Sequence, residues 1–134
     1  MIHIVDNLTS TNAWLSKYNS GIDDVVLAIE QTQGRGRRGN TWESQRGGFY
    51  ASIVSSKHKL LPFIASISII KILEKHYEDL NLKWPNDIIF KGKKLGGILC
   101  EDFGTHSIIG IGINLENEPP LENATNLSSH GIKF

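Results

Sequence analysis

Arginine is scarce in this sequence. Of 134 residues only Arg35, Arg37, Arg38 and Arg46 are arginines, and they fall within one short stretch; every other basic residue is a lysine. The side chains best suited to grip a phosphate or carboxylate with two parallel hydrogen bonds are therefore confined to one segment. The single cysteine, Cys100, excludes an internal disulfide and fits a reducing compartment. Within "LGGILCE" it reads as a small buried hydrophobe rather than a nucleophile. There is no run of about 18 apolar residues, so no membrane helix is expected. No charged n-region with an apolar h-region opens the chain, which predicts a cytoplasmic protein. Net charge is also missing: fourteen basic and fourteen acidic residues cancel. No global field draws the chain toward DNA or a membrane surface, and neither is an expected partner. His3, His58, His76, His106 and His130 show no metal-ligand spacing.

What is present is a chain of single-domain length, 40% hydrophobic and 21% charged. "IHIV" at 2–5 predicts a strand, and a helix follows from Thr11 to about Asn19, capped by Ser10 or Thr11. "VVLAIE" at 25–30 and "GFYASIVSS" at 48–56 read as strands. Pro62 opens the longest helix, "PFIASISIIKILEKHYEDL", with Phe63, Ile67, Ile70 and Leu73 at helical spacing. The strands "LKW", "DIIFK", "KKLGGILCED" and "HSIIGIGINLE" come next, the last three joined by hairpin-sized gaps. This order predicts an α+β fold: a mixed, mainly antiparallel sheet with at least two helices packed on one face. The polar segment "NEPPLENATNLSSHGIKF" shows no element that would close a core.

Between the second and third predicted strands stands "QGRGRRGNTW". Gly34, Gly36 and Gly39 match a dinucleotide-binding fingerprint, but no helix pattern follows to receive a pyrophosphate. A P-loop fails as well, because Asn40-Thr41 stands where Lys-Ser/Thr is required. Glycines let backbone amides turn toward a ligand, and guanidinium forks bind phosphate or carboxylate. Three arginines in four residues repel one another, which predicts a loop without order until an anion neutralises it. Trp42, just downstream, offers a flat face for a base.

Three further motifs accompany the loop: "STN" (10–12), "KWPND" (83–87), and "KLGGIL" (94–99) followed by "GIGINL" (110–115). Together they resemble the catalytic domain of biotin protein ligases, of the biotin/lipoate ligase superfamily, from about Ser10 to Leu127. The resemblance implies the class II aminoacyl-tRNA synthetase-like fold of that superfamily. It also implies activation of biotin with MgATP to biotinyl-5′-AMP, then transfer to one lysine of a biotin carboxyl carrier domain. By matching motifs, Ser10, Thr11, Asn12 and Gln31 should hold biotin's ureido ring, and Arg35, Gly36 and Arg37 should close over biotin and the adenylate phosphate. Lys94 should reach carboxylate and phosphate and, with Arg37, carry the catalysis. Arg38, Trp42, Gly97 and Asn114 are expected at the nucleotide, and Asn86 and Asp87 near its phosphates, with Mg2+ near Asp87. The resemblance further suggests one catalytic domain over 1–134, apparently truncated at its C-terminal end, without winged-helix or SH3-like domains, and a possible homodimer.

Each motif has a plainer reading. Ser10 and Thr11 could only cap a helix, Trp84-Pro85 form core and turn, and Gly96-Gly97 mark a bulge. Asn114 could be a strand-end residue and Lys94 an exposed hairpin lysine. A lipoate protein ligase of the same fold is the nearest alternative, although less arginine and more glycine would be expected in its loop. A non-catalytic anion- or nucleic-acid-binding module is the alternative from another class, and it predicts a steep salt dependence of binding.

Overall fold

The computed structural model describes residues 1–18 and 20–133. Its seven strands are β1 (Ile2–Leu8), β2 (Val25–Gln31), β3 (Gly48–Ser55), β4 (Leu80–Lys83), β5 (Asp87–Phe90), β6 (Lys93–Asp102) and β7 (Ser107–Asn114). Two α-helices, α1 (Thr11–Lys17) and α2 (Leu61–Leu73), complete the main elements. The strands form one sheet in the order β1-β2-β3-β7-β6-β5-β4. Only β1–β2 is a parallel pair, joined through α1; every other neighbouring pair is antiparallel. The expected mixed, mainly antiparallel α+β architecture is therefore the observed one.

The two helices sit on opposite faces of the sheet, a departure from the one-face expectation. Strand alternation explains it. On β7, Ile108 joins Leu15 of α1 in a cluster with Val26, Ala28 and Val54, while Ile113 joins a second cluster with Ile88, Phe90, Leu95 and Ile98. Helix α2 packs on that second cluster through Ala65, Ile69, Ile70 and Leu73. Apolar residues stand at both parities of β7, so each face takes its own helix. Alternation in one strand shows that both faces are apolar; it does not tell which helix covers which.

Helix α2 begins as expected, with Pro62 in its first turn, but it ends at Leu73 instead of continuing through "EKHYEDL". Tyr77 packs into the second cluster, and Asp79 adopts a left-handed φ of 59°, which turns the chain into β4. Of the expected apolar face, Ile70 and Leu73 reach the core, whereas the Phe63 ring lies 5.6 Å from that of Trp84. Helix α1 is described to Lys17 with Tyr18 as its cap; the expected end at Asn19 lies outside the described residues. Between β5 and β6 the turn residues Lys91 and Gly92 both have positive φ, 48° and 79°, as a two-residue hairpin turn with a right-handed strand twist requires.

The final segment does close the core, against expectation. Leu127 is only 1% exposed within the second cluster, and Thr125 N–H bonds to Lys94 O at 2.9 Å. Asn114, Asn117 and Asn126 are buried here and hold one another: Asn117 Nδ2 donates to Asn114 Oδ1 and Asn126 Nδ2 to Asn117 O. A chain without secondary-structure pattern is thereby fixed by side-chain amides. Cys100 is half-buried beside the same cluster, and burial pushes its thiol up to about 11. At pH 8 its thiolate fraction is then roughly one part in a thousand, so alkylation by iodoacetamide is expected to be far slower than for a free thiol. Labelling at the free-thiol rate in the folded protein would contradict this placement. No helix among the described residues is long and apolar enough to cross a membrane.

Candidate active site

On the α1 face of the sheet a cleft of about 490 Å3 opens between α1, the arginine loop and the β4–β5 turn. Its floor is bare backbone. Gly97 on β6 pairs with Gly112 on β7, and Leu99 pairs with Gly110, so glycines line the centre of the sheet. The Trp42 ring lies on this floor, and a Cβ on Gly112 would stand 2.6 Å from its Nε1. Nothing larger than hydrogen fits beneath the indole.

Lys94 reaches the cleft because β6 is bulged. Ile88 pairs with Gly96 but Ile89 pairs with Lys94, which leaves Leu95 as an extra residue. The bulge reverses the alternation, so Lys94 and Gly97 share the cleft face while Leu95 and Ile98 share the core. The bulge falls at Leu95, one residue before the Gly96-Gly97 of the plainer reading. Lys94 Nζ lies 3.0 Å from Asp87 Oδ1 and 5.2 Å from the Trp42 ring centroid. Ammonium, carboxylate and indole are thus assembled at one end of the cleft.

At the other end a continuous polar network holds the first motif. Ser10 caps α1, its Oγ accepting from Ala13 N–H at 3.4 Å. Thr11 donates to Gln31 Oε1 through its backbone N–H at 2.7 Å and its hydroxyl at 3.1 Å. Gln31 Nε2 in turn donates to Ser44 Oγ, and Ser44 to Trp42 O. Ser52 Oγ, fully buried, is within donating distance of both Thr11 Oγ1 and Asn12 Oδ1. Asn12 Nδ2 donates to Glu101 Oε2 at 2.7 Å. Only Ser10 is spent on capping; the next two side chains face the cleft.

The arginine loop is an ordered hairpin, unlike the disordered loop that its charge predicts. Trp42 N–H bonds to Gly34 O at 2.9 Å and Gly36 N–H to Asn40 O at 2.7 Å, with a short 3-10 turn at Arg37–Gly39. Gly34 is needed here, since a Cβ would lie 2.3 Å from Trp42 O. The guanidinium repulsion is relieved across the cleft. Arg35 Nη2 meets Glu101 Oε2 at 2.9 Å, and Arg37 Nη1 lies 3.5 Å from Asn86 Oδ1. Arg38 sits at the tip with φ 56°.

Thirteen of the fourteen residues expected at the site line this one cleft: Ser10, Thr11, Asn12, Gln31, the loop residues 35–38, Trp42, Asn86, Asp87, Lys94 and Gly97. Asn114 does not. Its amide is 3% exposed and committed to Thr125 O at 3.1 Å and to Asn117, which makes it a strap for the C-terminal segment. Sequence reasoning missed Ser52 and Glu101, although period-two alternation from Gly97 through Leu99 leads to Glu101. Among the described residues no group of three His, Cys, Asp or Glu is placed to hold a metal ion.

A seven-stranded mixed sheet bearing a glycine-floored cleft with arginines and a lysine on its rim defines this α+β domain. Residues 3–114 match the model of the biotin/lipoate A/B protein ligase family, and the chain belongs to that family. A biotin–[acetyl-CoA-carboxylase] ligase of Paracoccus denitrificans is 35% identical over 126 residues, covering 82% of this chain and 52% of the relative. The biotin protein ligase of Aquifex aeolicus, solved in complex with biotin and ATP, matches with a TM-score of 0.90 at 35% identity, covering 99% of this chain and 62% of that one. The Leishmania major enzyme, in complex with biotinyl-5-AMP, matches with a TM-score of 0.85 at 31% identity, covering 96% and 64%. The chain thus spans about half to two-thirds of these relatives' lengths.

Proposed function

We propose that this chain activates biotin with ATP to biotinyl-5′-AMP, releasing pyrophosphate, and passes the biotinyl group to a lysine of a carboxyl carrier domain in the cytoplasm. Residues 1–134 act in this reading as one catalytic domain. The observation that carries it is the meeting, in one cleft, of a polar network around Asn12 and a cationic end formed by Lys94 and Arg37. The network offers donors and acceptors suited to a ureido ring, and the glycine floor admits a flat bicycle. Lys94 and Arg37 suit the crowded anions that the first step must bring together.

Biotin's carboxylate is ionised at neutral pH, so its attack on the α-phosphate needs no general base. A carboxylate oxygen forms a bond to phosphorus, the bond to the bridging oxygen breaks, and pyrophosphate leaves with the electron pair. The obstacle is repulsion between two anions, which Lys94 and Arg37 reduce by neutralising charge and fixing orientation. Mg2+ fits only as a companion of the triphosphate, since Asp87 supplies one carboxylate and such ions are held by one or two carboxylates plus substrate phosphates. Trp42 offers its exposed face to the adenine. The arginine loop covers the mixed anhydride and shields it from water. In the second step the carrier lysine's amine attacks the acyl carbon, AMP leaves and a proton is lost.

Incubation with biotin, MgATP and an acceptor domain, read by intact mass, tests this directly. Acceptor carrying one biotinyl group is expected; a clear preference for lipoate would favour the alternative ligase chemistry. Arg37→Ala removes a charge-assisted contact to the adenylate, and release of biotinyl-AMP into solution is expected to rise about 10- to 100-fold. Rapid filtration checks it, and wild-type retention would remove Arg37 from the site.

A further inference from the structure

One carboxylate oxygen joins the arginine loop to the inner pocket. Glu101 Oε2 accepts from Arg35 Nη2 at 2.9 Å and from Asn12 Nδ2 at 2.7 Å. Asn12 is 3% exposed and Ser52, which donates to its Oδ1, is 1% exposed. The amide is thus fixed from both sides, with nitrogen toward Glu101 and oxygen toward Ser52. From Ser52 the network continues through Thr11, Gln31 and Ser44 to Trp42 O. Arg35 and Trp42 bracket the hairpin, so both its ends are tied to the same chain of hydrogen bonds. Glu101 and Arg35 are the charged side chains at the Asn12 end of this network. A carboxylate beside a site built for anions is out of keeping with anion binding itself; it makes sense as a counter-ion for a guanidinium when no anion is present.

We propose that Glu101 is a positioning residue that latches the arginine loop through Arg35 and sets the orientation of the Asn12 amide. An anionic ligand that captures Arg35 takes the guanidinium from Glu101 and leaves that oxygen wholly to Asn12. Capture of Arg35 by an anion is thereby communicated to the Asn12 amide through one shared atom. The ligand-free latch needs no knowledge of the substrate. The part concerning Asn12 rests on the biotin reading above.

Trypsin reads the latch without any ligand, because cleavage after Arg35, Arg37 or Arg38 requires the loop to open. Glu101→Gln keeps the shape and an acceptor for Asn12 but removes the charge that holds Arg35. Cleavage in the loop is expected to accelerate about fivefold, as loss of one partly exposed, charge-assisted contact allows. Cleavage after Arg46, which pairs with Asp6, should stay at the wild-type rate and serves as the internal reference. Unchanged loop cleavage, or equal acceleration at Arg46, would overturn the latch, since general destabilisation exposes both. If Glu101→Gln does not fold, Arg35→Gln read at Arg37 and Arg38 tests the same pair from its other side, with the same expected acceleration.

Calorimetry with biotin tests the second part. Glu101→Ala leaves the Asn12 amide only its longer contact to Leu99 O, at 3.4 Å, and is expected to weaken biotin about tenfold, with Glu101→Gln restoring most of it. Equal weakening in both variants would remove Asn12 orientation from the role of Glu101. A wild-type protein that fails to bind biotin would end the substrate reading while leaving the cleavage result to stand.

Discussion

Replacing Lys94 with alanine is expected to slow biotinyl-AMP formation by about 10²–10³-fold, the usual cost of removing one pre-positioned donor from developing charge. The bulge at Leu95 is what aims this side chain into the cleft, and Asp87 at 3.0 Å holds the ammonium without burying it. An ammonium already held at the end of the cleft requires no reorganisation when phosphate charge shifts toward the leaving pyrophosphate. Biotin affinity should fall much less, because the Asn12 network lies at the opposite end. Single-turnover formation of the adenylate, followed by quench and chromatography, separates the two effects. A rate within threefold of wild type would mean that Lys94 is the exposed hairpin lysine of the plainer reading.

Leu127→Ala is expected to destabilise the fold by about 3 kcal/mol, in the middle of the range for a fully buried leucine. The side chain is 1% exposed and fills the second cluster beside Ile98 and Ile113. Its loss also loosens the backbone ties from Thr125 to Lys94, so the C-terminal segment and the bulged strand should weaken together. Urea denaturation measures this as a lowered midpoint with an unchanged slope. A midpoint equal to wild type would show that the segment lies on the surface, as its polar composition suggested.

These two residues mark the limits of what the sequence made legible. Strands β2, β3, β6 and β7 were readable because apolar and β-branched residues cluster in runs of strand length, and the hairpins because Lys91-Gly92 and Gly104 sit between them. The cleft residues were readable as motifs, since glycines and arginines at fixed spacing need a ligand or a turn to account for them. Leu127 was illegible because its surroundings are amides and hydroxyls, whose burial depends on partners elsewhere in the chain. Helix α2 was read too long because nothing in "EKHYEDL" opposes a helix locally; the demand comes from Tyr77 packing beneath and from β4. The Arg35–Glu101 pair spans 66 positions, and no local pattern announces it. That pair also explains the misjudged loop, whose repulsion was counted without the acceptors across the cleft.

The proposed adenylating site lies wholly within these 134 residues. The most direct measurement is pyrophosphate release by the isolated chain with MgATP, with and without biotin, alongside chromatographic detection of biotinyl-AMP. Release that depends on both substrates, with adenylate formed in equal amount, is the predicted result. Pyrophosphate release indifferent to biotin, or none with both substrates present, would contradict it.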